Sequence, residues 1–465
     1  MHLKRYFVPG LAHASYLFGS DGEAAVVDPK REVQDYLEDA QRAGLKIKAI
    51  LNTHPHADFA SGFMELAELT GARVFVSHRA PATYPRVEAR DGDRELVGSM
   101  EVEMLETPGH SPDSLSFLVH EGGKPTTIFT GDALFVNDVG RPDLRDADAD
   151  PSLLANQLYD SLFNKLLKLP GEVIVYPSHG AGSLCGRAPG SDPFTTIDRE
   201  KLVNWAAQIQ DRAEFVKQMT ANLPDRPAYF AFDVSLNLRG APSFSKLPKV
   251  QALSEMELKQ AGQAGAVIID TRPSPLFGAG HFPGSLNIGL DSPLFSTWTG
   301  FFVPGIRPIV LVVSSADQVP KARLELARIG FDQVLGYFEA EELQEIRQLS
   351  QMTACDLKTA LRRGEGLEVL DVRARREWET NHIEGARHVP LPLLNGKIGS
   401  LPRHSTIAVI CGAGYRSSIG ASWLLAQGFT RVTNVMGGMG AYTGTKCLAS
   451  ELVETVAGGY DDWMV

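Results

Sequence analysis

The stretch Ile47-Lys48-Ala49-Ile50-Leu51-Asn52-Thr53-His54-Pro55-His56-Ala57-Asp58-Phe59 runs an apolar strand straight into two imidazoles and a carboxylate. In extended backbone, side chains at i, i+2 and i+4 share one side, so His54, His56 and Asp58 can converge at the strand's end. Imidazole nitrogens and carboxylate oxygens are the usual ligands of Zn and Fe. An isolated H-x-H arises easily by chance. Here the device recurs: His110 follows a strand in a Gly/Pro turn (LETPGHS, 105–111), Asp132 ends the strand IFTGD (128–132), and His179 ends VYPSHG (175–180). Four strand ends of one kind predict a metal site.

Outward from this site, Glu23–Asp28 reads as a strand, Val33–Ala43 as a helix and Ile47–Thr53 as a strand. That alternation predicts an α/β or αβ-sandwich core reaching about Gly180. A helical stretch comes next, over roughly Asp198–Asn222. The polar, proline-containing segment Pro224–Lys249 has few periodic apolar positions and reads as a linker or extended strap. Apolar residues are 43% and charged residues 22%, which excludes a disordered or collagen-like chain. Lys and Arg number 45 against 56 Asp and Glu; a net charge of −11 without a basic stretch makes nucleic acid and anionic membranes poor partners. With no signal-like N-terminus, no long apolar run and too few cysteines for a disulfide framework, a soluble, cytoplasmic protein is expected.

Beyond residue 250 the sequence repeats. Asp270, Arg272, His281 and Gly284 recur as Asp371, Arg373, His382 and Gly385, all displaced by 101 residues, each set following a strand (AVIID and LEVLD). A period this long indicates two tandem copies of one small α/β domain rather than a solenoid. The expected organisation is 1–235, a linker over 236–249, then 250–350 and 353–465. In the last copy the strand TIAVI (406–410) runs into Cys411-Gly412-Ala413-Gly414-Tyr415-Arg416-Ser417-Ser418 and then a helix. A cysteine before a helix N-terminus sits where N–H groups and the helix dipole stabilise a thiolate. The glycines let the loop curl into an anion nest, and Arg416 adds positive charge at its rim. Anchoring Gly330-Phe331 on Gly428-Phe429 gives an offset of 98, which places Val313 where Cys411 stands and Gln318 where Arg416 stands. The first copy therefore lacks the thiol. The repeated Asp and Arg read as structural, and Cys355 and Cys447 as ordinary packed residues.

The H-x-H-x-D, His110, Asp132 and His179 motifs together resemble the metallo-β-lactamase superfamily over residues 1 to about 200. That likeness implies an αββα sandwich. Two-metal members carry a His after the Asp; here that residue is Phe59, which disfavours a two-zinc hydrolase of the hydroxyacylglutathione type. Thr130-Gly-Asp-Ala-Leu-Phe-Val-Asn-Asp-Val-Gly-Arg141-Pro and the loop YPSHGAGSLCG (176–186) resemble persulfide dioxygenases of the kind fused to sulfurtransferase domains. The resemblance implies one Fe(II) per chain on His54, His110 and Asp132, with zinc as the alternative. It leaves His56, Asp58 and His179 as outer groups or a vestigial second metal site. Arg141 is a candidate for binding the carrier's carboxylate or sulfite, or equally a structural ion pair. Cys185 is either a sulfur relay or a packed cysteine.

Asp371-Val-Arg373, Glu377-Trp378, His382-Ile-Glu-Gly385 and the Cys411 loop resemble the rhodanese sulfurtransferases. Spacing separates Cys411-x₄-Arg416 from the Cys-x₅-Arg of related phosphatases and suits a persulfide sulfur on Cys411. Gly412, Ala413, Gly414 and Tyr415 are then substrate-binding backbone, with Cys411 and Arg416 catalytic. The expected fold is thus a metallo-β-lactamase sandwich followed by two rhodanese-like α/β domains, the first degenerate. The expected activity is O2-dependent oxidation of a small-thiol persulfide (glutathione, coenzyme A or similar) to sulfite, in hydrogen sulfide detoxification, coupled to sulfur transfer that forms or uses thiosulfate. A single-zinc thioester hydrolase carrying rhodanese modules is the alternative; a purely binding role conflicts with two complete ligand sets. Assembly into a homo-oligomer is left open.

Overall fold

Strands β1 (His2–Val8), β2 (His13–Ser20), β3 (Glu23–Val27), helix α1 (Gln34–Arg42), β4 (Lys46–Leu51), α2 (Phe63–Thr70), β5 (Arg73–Ser77) and β6 (Val87–Ala89) open the chain in the computed structural model. The structure describes residues 1–145, 150–221, 223, 226–303 and 307–444. The six strands form one sheet in chain order. A second sheet uses β7 (Arg94–Val97), β8 (Met100–Glu106), β9 (Leu115–Glu121), β10 (Lys124–Gly131) and, after α3 (Pro151–Asp160), β11 (Ile174–Pro177) and β12 (Thr195–Thr196), in the order β12-β11-β10-β9-β8-β7.

The period-2 pattern of the strands sorts their side chains between layers. Ala14, Tyr16 and Phe18 of β2 meet Val102, Met104, Phe117, Val119 and Phe129 of the second sheet in a shared core. Leu17, Ala24 and Val26 point the other way, against Tyr36 and Ala40 of α1 and Phe63 and Leu66 of α2. The outer face of the second sheet packs Leu118 and Ile128 against Ala155 and Leu158 of α3. Helix, sheet, sheet, helix: the four-layer sandwich arises from apolar residues on both faces of each sheet.

One irregularity decides which way β4 presents its side chains. Ala24 pairs with Ile47 and Ala25 with Ala49, leaving Lys48 as a bulge whose amine reaches Glu23, 3.0 Å away. The extra residue switches faces, so Ile47 faces the helices while Ala49 and Leu51 face the other sheet.

The stretch after the second sheet holds α4 (Ile197–Val203), α5 (Arg212–Thr220) and α6 (Phe230–Arg239). The single helix expected over 198–222 is two, because Asn204 is extended and ends the first. The expected strap over 224–249 is corrected more strongly: α6 is a buried helix. Phe230, Val234 and Leu236 are buried, but so are Asp233 and Asn237, and that polar burial hides the apolar stripe in sequence.

Next come α7 (Glu255–Gln263), β13 (Val267–Asp270), α8 (Ser274–Ala279), β14 (Leu286–Asn287), α9 (Phe295–Phe302), β15 (Ile309–Val313), α10 (Val319–Ala327) and β16 (Val334–Glu339). The second copy holds β17 (Ser350–Met352), α11 (Ala354–Arg363), β18 (Leu367–Asp371), α12 (Arg375–Thr380), β19 (Arg387–His388), α13 (Leu394–Lys397), β20 (Thr406–Ile410), α14 (Tyr415–Ala426), β21 (Val432–Val435) and α15 (Gly438–Gly444). Its parallel sheet runs β17-β21-β20-β18-β19. The chain divides into two units: residues 1–267, 290–311 and 315–338 in one; 268–289, 312–314 and 339–465 in the other. Among the described residues no helix is long and apolar enough to cross a membrane.

The repeated polar set does the same work in both copies. Arg272 grips Asp270 through Nε (2.9 Å) and Nη2 (2.6 Å) and donates Nη2 to Gly280 O; Arg373 grips Asp371 at 3.0 and 2.6 Å and donates to Asn381 O. His281 bonds Phe277 O through Nδ1 (3.0 Å) and stacks on the Phe277 ring at 3.9 Å, as His382 does with Trp378 at 3.0 and 4.0 Å. These contacts tie a strand end to the helix after it.

Burial lowers the His281 pKa from 6.5 to about 4. A neutral imidazole in the folded state means that the unfolded chain binds the proton first. Stability from this residue is therefore present above pH 6.5 and lost as pH falls from 6.5 toward 4, by up to about 3 kcal/mol. Urea unfolding of the unit containing His281, tracked from pH 7.5 to 4.5, should show this slope in the wild type and lose it in His281→Asn.

Candidate metal centre and cysteine loop

Asp28, the residue after β3, has a positive φ of 46°. Such a backbone costs a non-glycine residue roughly 1–2 kcal/mol. Three hydrogen bonds offset it: the Asp28 carboxylate accepts from Thr53 N (2.8 Å), Thr53 Oγ1 (2.7 Å) and Ser178 Oγ (2.5 Å). Bonds to a buried charge contribute about 1.5–3 kcal/mol each, so the conformation is held. The effect is to fix the ends of β3, β4 and β11 against one another.

From that frame the histidines take definite tautomers. Thr53 Oγ1 already donates to Asp28, so at 3.0 Å it accepts from His54 Nδ1. His110 donates Nδ1–H to Arg141 O, also at 3.0 Å. Both rings therefore turn an unprotonated Nε2 inward, 3.7 Å (His54) and 3.4 Å (His110) from Asp132 Oδ2. His54 Nε2 and Asp132 Oδ2 are buried with no hydrogen-bond partner. Leaving such atoms unpaired costs about 1–3 kcal/mol apiece. A cation between them removes that cost, and one ligand atom from each of the three residues lies within 4.8 Å of the others. The donor set fits a metal ion.

Asp132 Oδ1 accepts from His179 Nδ1 at 2.7 Å, and His179 Nε2 stands 2.7 Å from Asp58 Oδ2. Burial would lower the His179 pKa, but Asp132 and Asp58 on its two sides hold it well above the usual imidazole range. Burial likewise works to raise Asp132, yet His179, His110 and His54 keep it well below the carboxylate range. Burial, reinforced by His56, pushes His54 well down. His54 and His110 thus stay neutral and Asp132 ionised, the forms that bind metal.

The remaining expected residues fall close by. His56 Nε2 lies 3.2 Å from Asp28 Oδ2, and His56 shares a second possible ligand cluster with Asp132 and His179. Asp58, His179 and Cys185 form a third. Burial raises the Cys185 thiol well above its ordinary range, with Asp58 and Asp132 adding to the effect. Phe59 is 1% exposed, its ring 3.8 Å from that of His13 and 4.5 Å from that of His56, so a hydrocarbon fills the space beside the cluster. Arg141 is 2% exposed and locks its guanidinium onto Asp143 through Nε (2.7 Å) and Nη2 (2.6 Å), while its N–H donates to Cys185 O.

Three contributors escape a reading of the sequence. Asp28 is one. His13 packs on Phe59 and pairs its backbone with His179. Asn237 of α6 donates Nδ2 to His56 O (2.8 Å) and Phe59 O (2.7 Å) and accepts from Ser61 N (2.9 Å), pinning the H-x-H-x-D-F loop. Asp28 had a signal, an acid closing an apolar strand before Pro29; Asn237 had none.

The second constellation lies after β20. Cys411 is a buried free thiol whose Sγ accepts from Gly414 N at 3.1 Å and lies 3.4 Å from Ser417 Oγ. Gly414 caps α14 with φ +100°, a conformation that glycine adopts without strain. Arg416 does not point a free charge at the sulfur: Nη1 and Nη2 each bind Glu377, at 2.7 Å. Met439 N and Gly440 N donate to Cys411 O (2.7 Å) and Gly412 O (2.9 Å), bracing the loop from behind. In the first copy Thr271 N bonds Val312 O as Val372 N bonds Ile410 O, so Val313 holds the position of Cys411. Cys355 is disulfide-bonded rather than simply packed: a low cysteine count argues against a framework, not against one bond. Cys447 lies outside the described residues.

Residues 8–179 match the metallo-beta-lactamase superfamily model, and residues 353–445 the rhodanese-like domain model. The human mitochondrial persulfide dioxygenase ETHE1 is 30% identical over 243 residues, spanning 51% of this chain and 87% of that protein. This chain belongs to the metallo-beta-lactamase superfamily. The hydroxyacylglutathione hydrolase GloC of Haemophilus influenzae is 26% identical over 203 residues, 39% of this chain and 92% of that protein. Among solved structures, a metallo-beta-lactamase from Staphylococcus aureus subsp. aureus COL aligns at TM-score 0.65 and 30% identity, over 73% of this chain and 98% of its own. As a metallo-beta-lactamase superfamily member with a rhodanese-like domain, the chain carries its His/Asp metal site in the first module and Cys411 in the second.

Outer-sphere partners commonly change metal affinity 10–100-fold. Asp28→Asn, which weakens the hold on Thr53 and hence on the His54 tautomer, should lower metal retention by about that factor. Metal content after dialysis against graded chelator measures it.

Proposed function

We propose that this chain is a bifunctional sulfur enzyme: a persulfide dioxygenase joined to a sulfurtransferase. The observation that carries the first half is the donor count around Phe59. His54, His110 and Asp132 bring one ligand atom each within 4.8 Å of the others, two of those atoms without a hydrogen-bond partner, while beside the further donors His56, Asp58 and His179 the residue at 59 is a phenyl ring that adds none. One ion on two imidazoles and a carboxylate is the signature of non-haem Fe(II) oxygenases. Iron bound there would supply open positions where a soft sulfur and dioxygen can meet. The balanced reaction is R–S–SH + O2 + H2O → R–SH + H2SO3; the outer sulfur gives up four electrons and dioxygen accepts them.

The chain's own residues set the surroundings. His54 and His110 are held to one tautomer by Thr53 and the Arg141 carbonyl. His179, charged between Asp132 and Asp58, holds a proton at Nδ1 that fixes the orientation of Asp132. His56 and Asp58 line the same cluster and would orient substrate or water. Arg141 is engaged by Asp143, which suits bracing of the loop better than capture of a carboxylate. Cys185 rests protonated, which suits a packed thiol better than a relay.

Cys411 is proposed as the sulfur carrier. Its thiolate attacks the outer sulfur of R–S–SH, RSH leaves, and Cys411–S–S⁻ remains; sulfite can take that sulfur to give thiosulfate, and the reverse loads the cysteine. The first copy, with Val313 at the equivalent place, has no thiol to carry sulfur and is read as degenerate. The carrier thiol is of the glutathione or coenzyme A type.

Similarity to hydroxyacylglutathione hydrolases supports a second reading, a single-zinc thioester hydrolase. Anaerobic metal analysis followed by oxygen uptake on glutathione persulfide separates the two. Iron with oxygen consumption and sulfite release is expected; zinc with thioesterase activity and no oxygen uptake would overturn the proposal. His110→Ala should abolish oxygen uptake. Cys411→Ser should leave it within about twofold on preformed persulfide while eliminating thiosulfate:cyanide sulfur transfer.

A further inference from the structure

The ion pair at the mouth of the Cys411 loop bears on which sulfur donors the loop accepts. A cysteine nest with an arginine on its rim would by itself favour a doubly charged donor such as thiosulfate. In this chain the arginine is already answered. Both terminal nitrogens of Arg416 bind Glu377, Nη1 to Oε2 and Nη2 to Oε1, each at 2.7 Å, the planar fork-to-fork arrangement that matches guanidinium to carboxylate. Glu377 is fixed from its own side, because Oε2 also accepts from Ala374 N at 3.0 Å in the first turn of α12. Gly412 leaves room for the pair: a Cβ there would come 3.1 Å from Arg416 Nη2 and 3.6 Å from Glu377 Oε1. The pair therefore lies beside the Cys411 loop, with side chains 24% and 38% exposed.

We infer that Glu377 is a specificity-determining positioning residue: by neutralising Arg416 it tunes the Cys411 loop toward organic persulfides, whose sulfur end carries at most one charge, and against dianionic thiosulfate. The inference rests on the reading of Cys411 as sulfur carrier and adds the charge class of its preferred donor. Sulfur moves by the same thiolate attack from Cys411, with the donor's remaining fragment as leaving group. Glu377 takes no part in bond-making and acts through Arg416 and the local potential. Removing one partly exposed charge alters attraction for an ion by a factor of about five at this depth of screening.

The test compares the full-length wild type with Glu377→Gln and Glu377→Asp in sulfur transfer to cyanide, using thiosulfate and glutathione persulfide as donors. Glu377→Gln should lower KM for thiosulfate about fivefold, with kcat and the KM for glutathione persulfide each within about twofold; Glu377→Asp should restore most of the wild-type preference. A parallel measurement needs no turnover: rates of Cys411 alkylation by anionic iodoacetate and neutral iodoacetamide, read by mass spectrometry on the Cys411 peptide. The iodoacetate-to-iodoacetamide ratio should rise about fivefold in Glu377→Gln. An unchanged ratio, or equal changes for both reagents, would overturn the inference. If the wild type transfers sulfur from neither donor, the carrier reading falls, and the alkylation ratio still decides the role of Glu377.

Discussion

A carboxylate shut away from water, that of Asp28, binds two groups of Thr53 and one of Ser178, and the metal centre is arranged around that knot. It commits Thr53 Oγ1 as a donor, which commits His54 to a single tautomer, which turns Nε2 toward Asp132. The cost is a left-handed backbone at an aspartate, and the repayment comes from charge-assisted hydrogen bonds in a site of low polarity. Loosening the knot should disturb the cluster without touching His54, His110 or Asp132.

The packing of so many ionisable groups in one buried place is tolerable only because they compensate one another. Asp132, Asp58 and His179 form a chain of alternating charge, and the neutral histidines around it lose affinity for protons as they become available to a metal. The Cys411 loop solves a similar problem by other means. There, the Gly414 N–H and the Ser417 hydroxyl face the sulfur, and the Arg416 guanidinium beside the loop is paired with Glu377. One site concentrates full charges; the other spreads partial ones.

Physical reach separates the residues that sequence order reveals from those it hides. His54, His110 and Asp132 stand at strand ends beside Gly or Pro, so local chemistry announces them. The same holds for Cys411, whose glycine spacing is a backbone requirement. Asp28 and Asn237 act across the fold, on loops 25 and about 180 residues away, and no local pattern encodes that. α6 is obscured because its inward face carries Asp233 and Asn237, which erase the apolar periodicity that betrays a helix. Arg416 is legible as a cation, but its partner Glu377 sits 39 residues earlier, so the neutrality of the pair is not.

The two copies of the repeat also diverge in length. Their offset is 101 residues from the Asp-x-Arg motif through β14 and β19 and falls to 98 at β15 and β20, so the first copy has the longer crossover. That stretch includes α9, where Thr297 donates to Gly10 O and the absent side chain of Gly300 makes way for the ring of Tyr229. Gly10 precedes the strand bearing His13, and Tyr229 opens the helix bearing Asn237. The longer connection thus braces, through Gly10 and Tyr229, the two segments that carry His13 and Asn237 to the His/Asp cluster.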